Sequence, residues 1–480
     1  MALPRISFTT ILNPSTIRKA LISILFKSVH SRVPTSKADV SIFAQPLKFR
    51  NGRVAKNRFL KAALSETISS WDAKDPSKRG LPSEDLVNIY DKWGHGEFGM
   101  ILTGNVCVDP FHLESAGNVI FCKENDSLHM RGMVSKVAKA MKHSGALAIA
   151  QLSHAGRQTP RLVNPHPSSC SDVQLKVPQH IVGFGRPIPL TEQQVKTEVV
   201  DRFLYAAKLA RDCGFDGIQL HGAHGYLLSS FMSPATNNRT DKYGGSAQNR
   251  MRVIREIFEE IRKEISAVTG FLIGIKMNTI ELNEKGLNVE EAKVLCGIIE
   301  SIGFDFVELS GGTLERNAFL HKTDLDRKRE AFFISFAEKI RPVFKKTVVY
   351  LTGGFKTAQG MVNAIQEGAT DGIGLGRPIT AEPDLPAKFF REECFSAADS
   401  KLNQNDFFMT LLASQAQMGQ MGRKPFAGQT SICEGIADLS HPDEVMNFKE
   451  AAILHVKKLK ETAKRNEAIH GVMHYVNIVK

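Results

Sequence analysis

From Asn57 to about Phe395 the chain alternates short apolar runs with longer amphipathic stretches. The apolar runs are Phe59–Leu64, Gly99–Thr103, Ala146–Gln151, Gly217–Leu220, Phe271–Met277, Phe304–Leu309, Thr347–Leu351 and Gly372–Leu375. Each has the length and the near-continuous hydrophobicity of a strand buried on both faces. Between them lie helical patterns. From Thr191 to Cys213, residues Val199, Phe203, Ala206, Ala207 and Ala210 recur on one face at helical spacing. Thr191 before Glu192 supplies a start signal and Gly214 a stop. Further helices are predicted from about Ser246 to Ile265 and near 290–302, 329–340 and 357–367. Beyond about residue 395 the alternation ends. Residues 405–418 and 445–469 read as helices, separated by a loop over Met421–Pro442.

Strands alternating with helices predict a parallel sheet, either a closed barrel or an open doubly wound sheet. The number of strands favours the barrel. So does the placement of polar and glycine-rich clusters, because one follows strand after strand: Ser65–Glu66, Gly104–Asn105, Gln151–Arg157, His221–Tyr226, Lys276–Asn278, Ser310–Thr313, Thr352–Gly354 and Gly376–Arg377. A barrel site is assembled from many strand ends. An open dinucleotide-binding sheet would gather its glycines as G-x-G-x-x-G after the first strand, and no such motif is there. The expected architecture is an α/β fold, a (β/α)8 TIM barrel over residues 39–395. It has a leader over 1–38 and a C-terminal helical extension over 396–480, packed on the barrel.

Charge changes the picture only at the N-terminus. The net charge is +12, and Arg5, Arg18, Lys19, Lys27, Arg32 and Lys37 precede the first acid, Asp39. A basic, Ser-rich, acid-free leader resembles a mitochondrial transit peptide; the alternative is a disordered extension on a cytoplasmic protein. The remainder is only mildly basic, which argues against nucleic acid as a partner. No apolar run approaches the roughly 20 residues that span a bilayer. The seven cysteines are widely spaced with no CxxC pair, so a Cys-ligated zinc site or iron–sulfur cluster is not expected.

Three clusters could carry chemistry. His221-Gly-Ala-His224-Gly-Tyr226 follows the fourth strand directly. Two imidazoles and a phenol at a strand end can hold a carbonyl oxygen and stabilise charge growing on it; the phenol can deliver a proton. The competing reading is a metal-dependent lyase or hydrolase with HxxH as ligands, but no third ligand suggests itself. The second cluster is Gln151-Leu-Ser-His154-Ala-Gly156-Arg157, in which the Gln amide presents donor and acceptor side by side, as the edge of a pyrimidine-like ring would require. The third is a pair of glycine turns after strands seven and eight, Thr352-Gly353-Gly354 and Gly374-Leu-Gly376-Arg377. Such turns in a barrel commonly form a phosphate site, with Arg377 adding a bidentate cation.

These segments, with Lys56-Asn57-Arg58, the run His221 to Arg250 and Gly311-Gly312-Thr313, resemble the Old Yellow Enzyme family of FMN-dependent NAD(P)H oxidoreductases, in family order across about residues 40–395. The subgroup looks like the bacterial- and fungal-type NADH:flavin oxidoreductases. The resemblance implies hydride transfer from NADH or NADPH through FMN to an electron-poor alkene or another oxidant. It implies that Ser65 lies beside the flavin C4 carbonyl, Gln151 pairs with the pyrimidine edge and Lys276 stands near N1 and O2. Gly353, Gly354, Gly376 and Arg377 would cradle the phosphate. His221 and His224 would bind the substrate carbonyl and Tyr226 would donate the proton. Lys276 stands where many members have Arg, and Lys61-Ala62-Ala63 replaces a more usual apolar-Pro or Ser-Pro sequence. A catalytically weak flavin-binding paralogue is the reading from another class. Neither the natural oxidant, nor NADH against NADPH, nor the oligomeric state is legible.

Overall fold

In the computed structural model the described residues are 31–177, 180–278, 287–310, 334 and 336–478. The first 30 residues of the leader, the Gly311-Gly312-Thr313 segment and half of the stretch expected to be helical near 329–340 lie outside them.

The eight apolar runs become eight strands: β1 (Phe59–Lys61), β2 (Met100–Cys107), β3 (Leu147–Ser153), β4 (Gly217–Gly222), β5 (Leu272–Asn278), β6 (Phe306–Ser310), β7 (Val348–Thr352) and β8 (Gly372–Leu375). Each pairs in parallel with its sequence neighbours, and β8 pairs with β1, so the sheet closes into a barrel. Alternation along a strand divides its side chains between two cores. On β2, Met100 and Leu102 point inward, packing with Leu60, Ile149, Leu272, Phe306 and Tyr350, while Ile101 joins the outer layer beneath the helices. An antiparallel hairpin, Leu47–Lys48 with Val54–Ala55, adds Leu47, Phe49 and Ala55 to the inner cluster. The Phe49 ring lies edge-on to Phe306, 6.2 Å away.

The outer layer includes α1 (Glu84–Gly94), α2 (Leu128–Met141), α3 (Asp201–Asp212), α4 (Arg252–Glu264), α5 (Val289–Ile302) and α6 (Ala358–Gln366). The helix expected from Thr191 to Cys213 is not uniform. Thr191 caps it through a reciprocal capping box with Gln194, a π-helical stretch spans Val195–Val200, and α3 follows. Gly214 ends it at φ +89°, a conformation favourable only to glycine. The helix expected from Ser246 to Ile265 breaks at Met251 into Ala247–Arg250 and α4.

The C-terminal extension forms α7 (Phe407–Gly422) and α8 (Pro442–Lys464). Helix α7 lies against α1: Asn88 Nδ2 donates to the Gly422 carbonyl at 2.8 Å and Lys92 Nζ to that of Met421 at 3.0 Å. Helix α8 covers it through a small core containing Leu412, Ala416, Phe448 and Tyr475. The last residues of the expected leader belong to this region as well. Arg32 reaches the fully buried Glu382 with both Nη atoms, at 3.0 and 2.7 Å, and the Val33 N–H donates to the Ala397 carbonyl. A boundary at residue 38 would cut through these contacts.

Candidate functional site

At the C-terminal ends of the strands lies a cavity of about 390 Å³, and every strand end reaches it: Ser65, Asn105, Gln151, His221, Lys276, Ser310, Thr352 and Gly376 are on its wall. His224, Tyr226, Gly353, Gly354 and Arg377 line the same cavity, whereas His154 and Arg157 of the Gln151 cluster are buried outside its lining. The clusters legible in the sequence are thus one site with three regions.

In the first, the rings of His221 and Tyr226 meet edge to face at 4.6 Å, and those of His221 and His224 at 5.3 Å. The turn that gathers them is strained: His224 sits at φ +60° and Gly225 at φ +84°, the left-handed region that costs a non-glycine residue of order 1 kcal/mol or more. Two side chains hold it there. Asn278 Oδ1 accepts the His224 N–H at 3.1 Å, and Gln158 Nε2 donates to the His224 carbonyl at 2.5 Å. Burial, then the positive charge of nearby Lys276, pushes His224 down to about 3, and burial likewise lowers His221. Both imidazoles are neutral at working pH. His221 Nδ1 accepts from the Ala223 N–H at 3.3 Å, so its proton is on Nε2. His224 Nε2 lies 3.1 Å from Ser310 Oγ. Burial, reinforced by the Glu114 carboxylate, holds the Tyr226 phenol well above its ordinary range. Glu114 accepts from Ser65 Oγ at 2.6 Å and from Asn105 Nδ2, and Asn105 Nδ2 is 3.4 Å from the Tyr226 oxygen. The phenol therefore keeps its proton at neutral pH.

The second region is a buried polar chain. Gln151 Nε2 donates to Gln219 Oε1 at 2.7 Å, and Gln219 Nε2 donates to Glu308 Oε2 at 2.9 Å. Lys276 Nζ donates to Glu308 Oε1, also at 2.9 Å. Strand register makes this possible, since Gln151 is paired with Gln219, and Lys276 with Glu308. The ion pair is almost wholly desolvated, which fixes the cation at a defined point on the wall. Lys61 is elsewhere. It turns outward under α1, 4.1 Å from the Trp93 ring, and donates to the Leu102 carbonyl at 2.8 Å. Ala62 and Ala63 face the cavity instead, so the unusual Lys61 leaves the cavity wall apolar and small at this point.

The third region is shaped for an anion. A Cβ placed on Gly376 would meet only Leu64 Cδ2, at 4.0 Å, so it would project into open cavity. A Cβ on Gly374 would fall 1.8 Å from Thr352 Oγ1. That hydroxyl is buried without a hydrogen-bond partner, and Gly354 turns the chain at φ +73°. Arg377 begins a short helix, Pro378–Ala381, and donates from Nη1 to Thr410 Oγ1 at 2.7 Å. An orphaned hydroxyl, glycines that keep space open and a guanidinium fit a phosphate group.

Sequence reasoning placed Asn105 at a strand end without a role, and missed Glu114, Gln219 and Glu308 as members of the site. Gln219 and Glu308 carried a signal, because each is a polar residue inside an apolar strand. Glu114 sits in a loop with no pattern of its own. Also missed were Leu402, Phe407, Thr410 and Gln417 of the extension, which line the cavity. Among the described residues, two groups place three possible metal ligands close together: Asp91, His95 and His143, and Asp109, His112 and His154. Neither contains His221 or His224, so the HxxH pair gains no third ligand there. In the buried group both nitrogens of His112 are engaged, by Asp109 and by the Ser168 N–H, and Asp109 is paired with Arg202.

Residues 41–392 match the model of the NADH:flavin oxidoreductase / NADH oxidase family. The chain is 41% identical over 398 residues to the NADH-dependent flavin oxidoreductase nadA of Aspergillus parasiticus, covering 80% of this chain and 87% of that one. It is 30% identical to an NADH oxidase of Thermoanaerobacter brockii, covering 72% of this chain and 50% of that one. Among solved structures, an old yellow enzyme homologue from Zymomonas mobilis superposes with a TM-score of 0.61 at 21% identity, covering 75% of this chain and 95% of that one.

Proposed function

This chain belongs to the NADH:flavin oxidoreductase / NADH oxidase family, and we propose that it reduces an electron-poor alkene of the enone type with hydride from NADH or NADPH. It is an FMN-dependent oxidoreductase, and the bound flavin supplies the hydride-carrying chemistry. The observation that carries the finer reading is the meeting of two neutral imidazoles and a protonated phenol on one cavity wall. Ketones and aldehydes conjugated to an alkene need both kinds of group. His221 Nε2–H and His224 donate to the carbonyl oxygen and stabilise the negative charge that builds there as hydride arrives at the β-carbon. Tyr226 O–H gives its proton to the α-carbon.

The remaining residues fit FMN end to end. Gln151 and Lys276 offer an amide edge and a cation to the pyrimidine ring, Ser65 stands at the flavin edge, and Gly353, Gly354, Gly376 and Arg377 receive the phosphate. A single cavity serves nicotinamide and alkene, so the two bind in turn and the kinetics are ping-pong. The basic leader supports import into mitochondria, testable by the location of a fluorescent fusion. Anaerobic addition of NADH to the FMN-loaded protein should bleach the flavin absorbance, and a cyclic enone should restore it. Bleaching by NADH with no recovery across a panel of enones and enals would remove the alkene assignment and leave a flavin reductase with another oxidant. Failure of either nicotinamide to bleach the bound flavin would favour a catalytically weak paralogue.

A further inference from the structure

The matched family region ends at residue 392, yet the cavity wall continues into the extension. The contact between the two is polar, buried and specific. Arg377 Nη1 donates to Thr410 Oγ1 at 2.7 Å, and the Thr410 hydroxyl in turn donates to the Phe407 carbonyl at 3.0 Å within α7. One turn along the short helix that Arg377 begins, Thr380 Oγ1 donates to Gln417 Oε1 at 2.7 Å. Gln417 Nε2 then donates to the Ala437 carbonyl at 2.9 Å. Thr410 and Gln417 are thus two turns apart on α7 and grip both ends of the segment that carries Arg377. All four side chains involved sit at or beside the cavity, and Thr410 and Gln417 are buried.

We propose that Thr410 and the C-terminal extension form part of the cofactor site, with Thr410 positioning the Arg377 guanidinium for the FMN phosphate. A flexible arginine loses rotamer freedom when it binds an anion. An arginine already held through one Nη has lost part of that freedom before the ligand arrives, and its fork is presented in a fixed plane. Thr410 supplies the hold. Because its own hydroxyl hydrogen is committed to the Phe407 carbonyl, its oxygen is left as an acceptor for Arg377. The extension therefore acts as a clamp on the phosphate end, and flavin retention depends on α7 being docked. This inference rests on the FMN reading of the cavity.

The test compares FMN with riboflavin, which lacks the phosphate, by fluorescence quenching on stripped enzyme. The wild-type protein should bind FMN more tightly than riboflavin. Thr410→Val should raise the FMN dissociation constant about fivefold, the scale of one lost intramolecular hydrogen bond, with riboflavin unaffected and Thr410→Ser restoring FMN binding. In an Arg377→Ala background Thr410→Val should have no further effect on FMN, because the group it positions is gone. Equal weakening of both flavins, or an undiminished effect in the Arg377→Ala background, would mean that Thr410 only stabilises the fold, and would overturn the proposal. Thr410→Val binding FMN as wild type does would also overturn it, with the FMN reading intact. Equal affinity of wild-type protein for both flavins would instead remove the phosphate reading itself. Hydrogen exchange on wild-type protein gives an answer independent of any variant. FMN should slow exchange in α7 and riboflavin should not; the same protection from both would contradict the clamp.

Discussion

Lys276 Nζ lies 2.9 Å from Glu308 Oε1, the two residues being register partners on β5 and β6, and both are almost completely withdrawn from solvent. The pair anchors the chain that runs through Gln219 to Gln151, so one ion pair orients both groups that we propose face the flavin pyrimidine. Glu308→Gln leaves Lys276 a buried cation with no counter-charge at that oxygen. The expected loss of stability is on the order of 3 kcal/mol, measured by chemical denaturation. In enzyme that folds, the uncompensated charge should move the midpoint potential of the bound FMN to more positive values, and Lys276→Met should move it to more negative ones. A potential unchanged in both variants would place the cation away from the ring.

The two glycines of the phosphate region should respond in opposite ways. Gly376→Ala adds a methyl where only cavity lies, 4.0 Å from its nearest neighbour. The apo fold should keep its melting temperature while FMN binding weakens. Gly374→Ala drives a methyl to 1.8 Å from Thr352 Oγ1 and should destabilise the protein by about 1–3 kcal/mol, the usual cost of overpacking. Thermal unfolding of stripped protein, together with FMN titration, separates the two effects.

Lys61 gives stability a pH dependence of known sign. Burial lowers its pKa to about 7, with the charges of Glu66 and Glu308 opposing that shift, while in the unfolded chain it titrates near 10.4. Between these values the unfolded state binds the extra proton, so stability rises with pH across about 7 to 10. Below 7 the lysine is charged in both states and the cost of burying it is fully felt. Lys61→Met should therefore stabilise the protein most at acidic pH, with the advantage shrinking as pH rises through that window. Urea midpoints at pH 6 and pH 9 check this; an advantage that grew with pH would reverse the sign.

Glu382 is fully buried and receives Arg32 through two hydrogen bonds, with Lys388 Nζ at 3.0 Å as a second cation among the described residues. Arg32→Ala should cost about 1–3 kcal/mol, read as a lower denaturation midpoint with FMN affinity unchanged. A midpoint equal to wild type would mean that Lys388 and the Ala398 N–H, with its other partners, compensate the carboxylate without Arg32.

The barrel was legible because eight buried strands leave eight apolar runs, and because polar residues collect where strands end. The observed strands fall within a few residues of those expected, as with Gly217–Gly222 against Gly217–Leu220. Strand ends resisted because hydrophobicity stops before hydrogen bonding does: β4 runs on through His221, a site residue. The site was legible where a local motif carried it, as in His221 to Tyr226. It was hidden where register carried it. Glu308 joins Lys276 only once β5 and β6 are aligned, and nothing local to Thr410 marks it as a neighbour of Arg377. The Met251 break between Ala247–Arg250 and α4 had no proline or glycine to announce it.

The division of labour around Tyr226 is tested most directly by stopped-flow measurement of the two half-reactions of Tyr226→Phe. The substitution removes one oxygen and keeps the ring that packs at 4.6 Å against His221. Hydride delivery from NADH requires no proton from Tyr226, so the reductive half should be nearly unchanged. Reoxidation by an enone requires the proton, and should slow by about 10²-fold or more, the ordinary size of a general-acid contribution. Equal slowing of both halves, or no slowing of either, would contradict the assignment of Tyr226 as the proton donor.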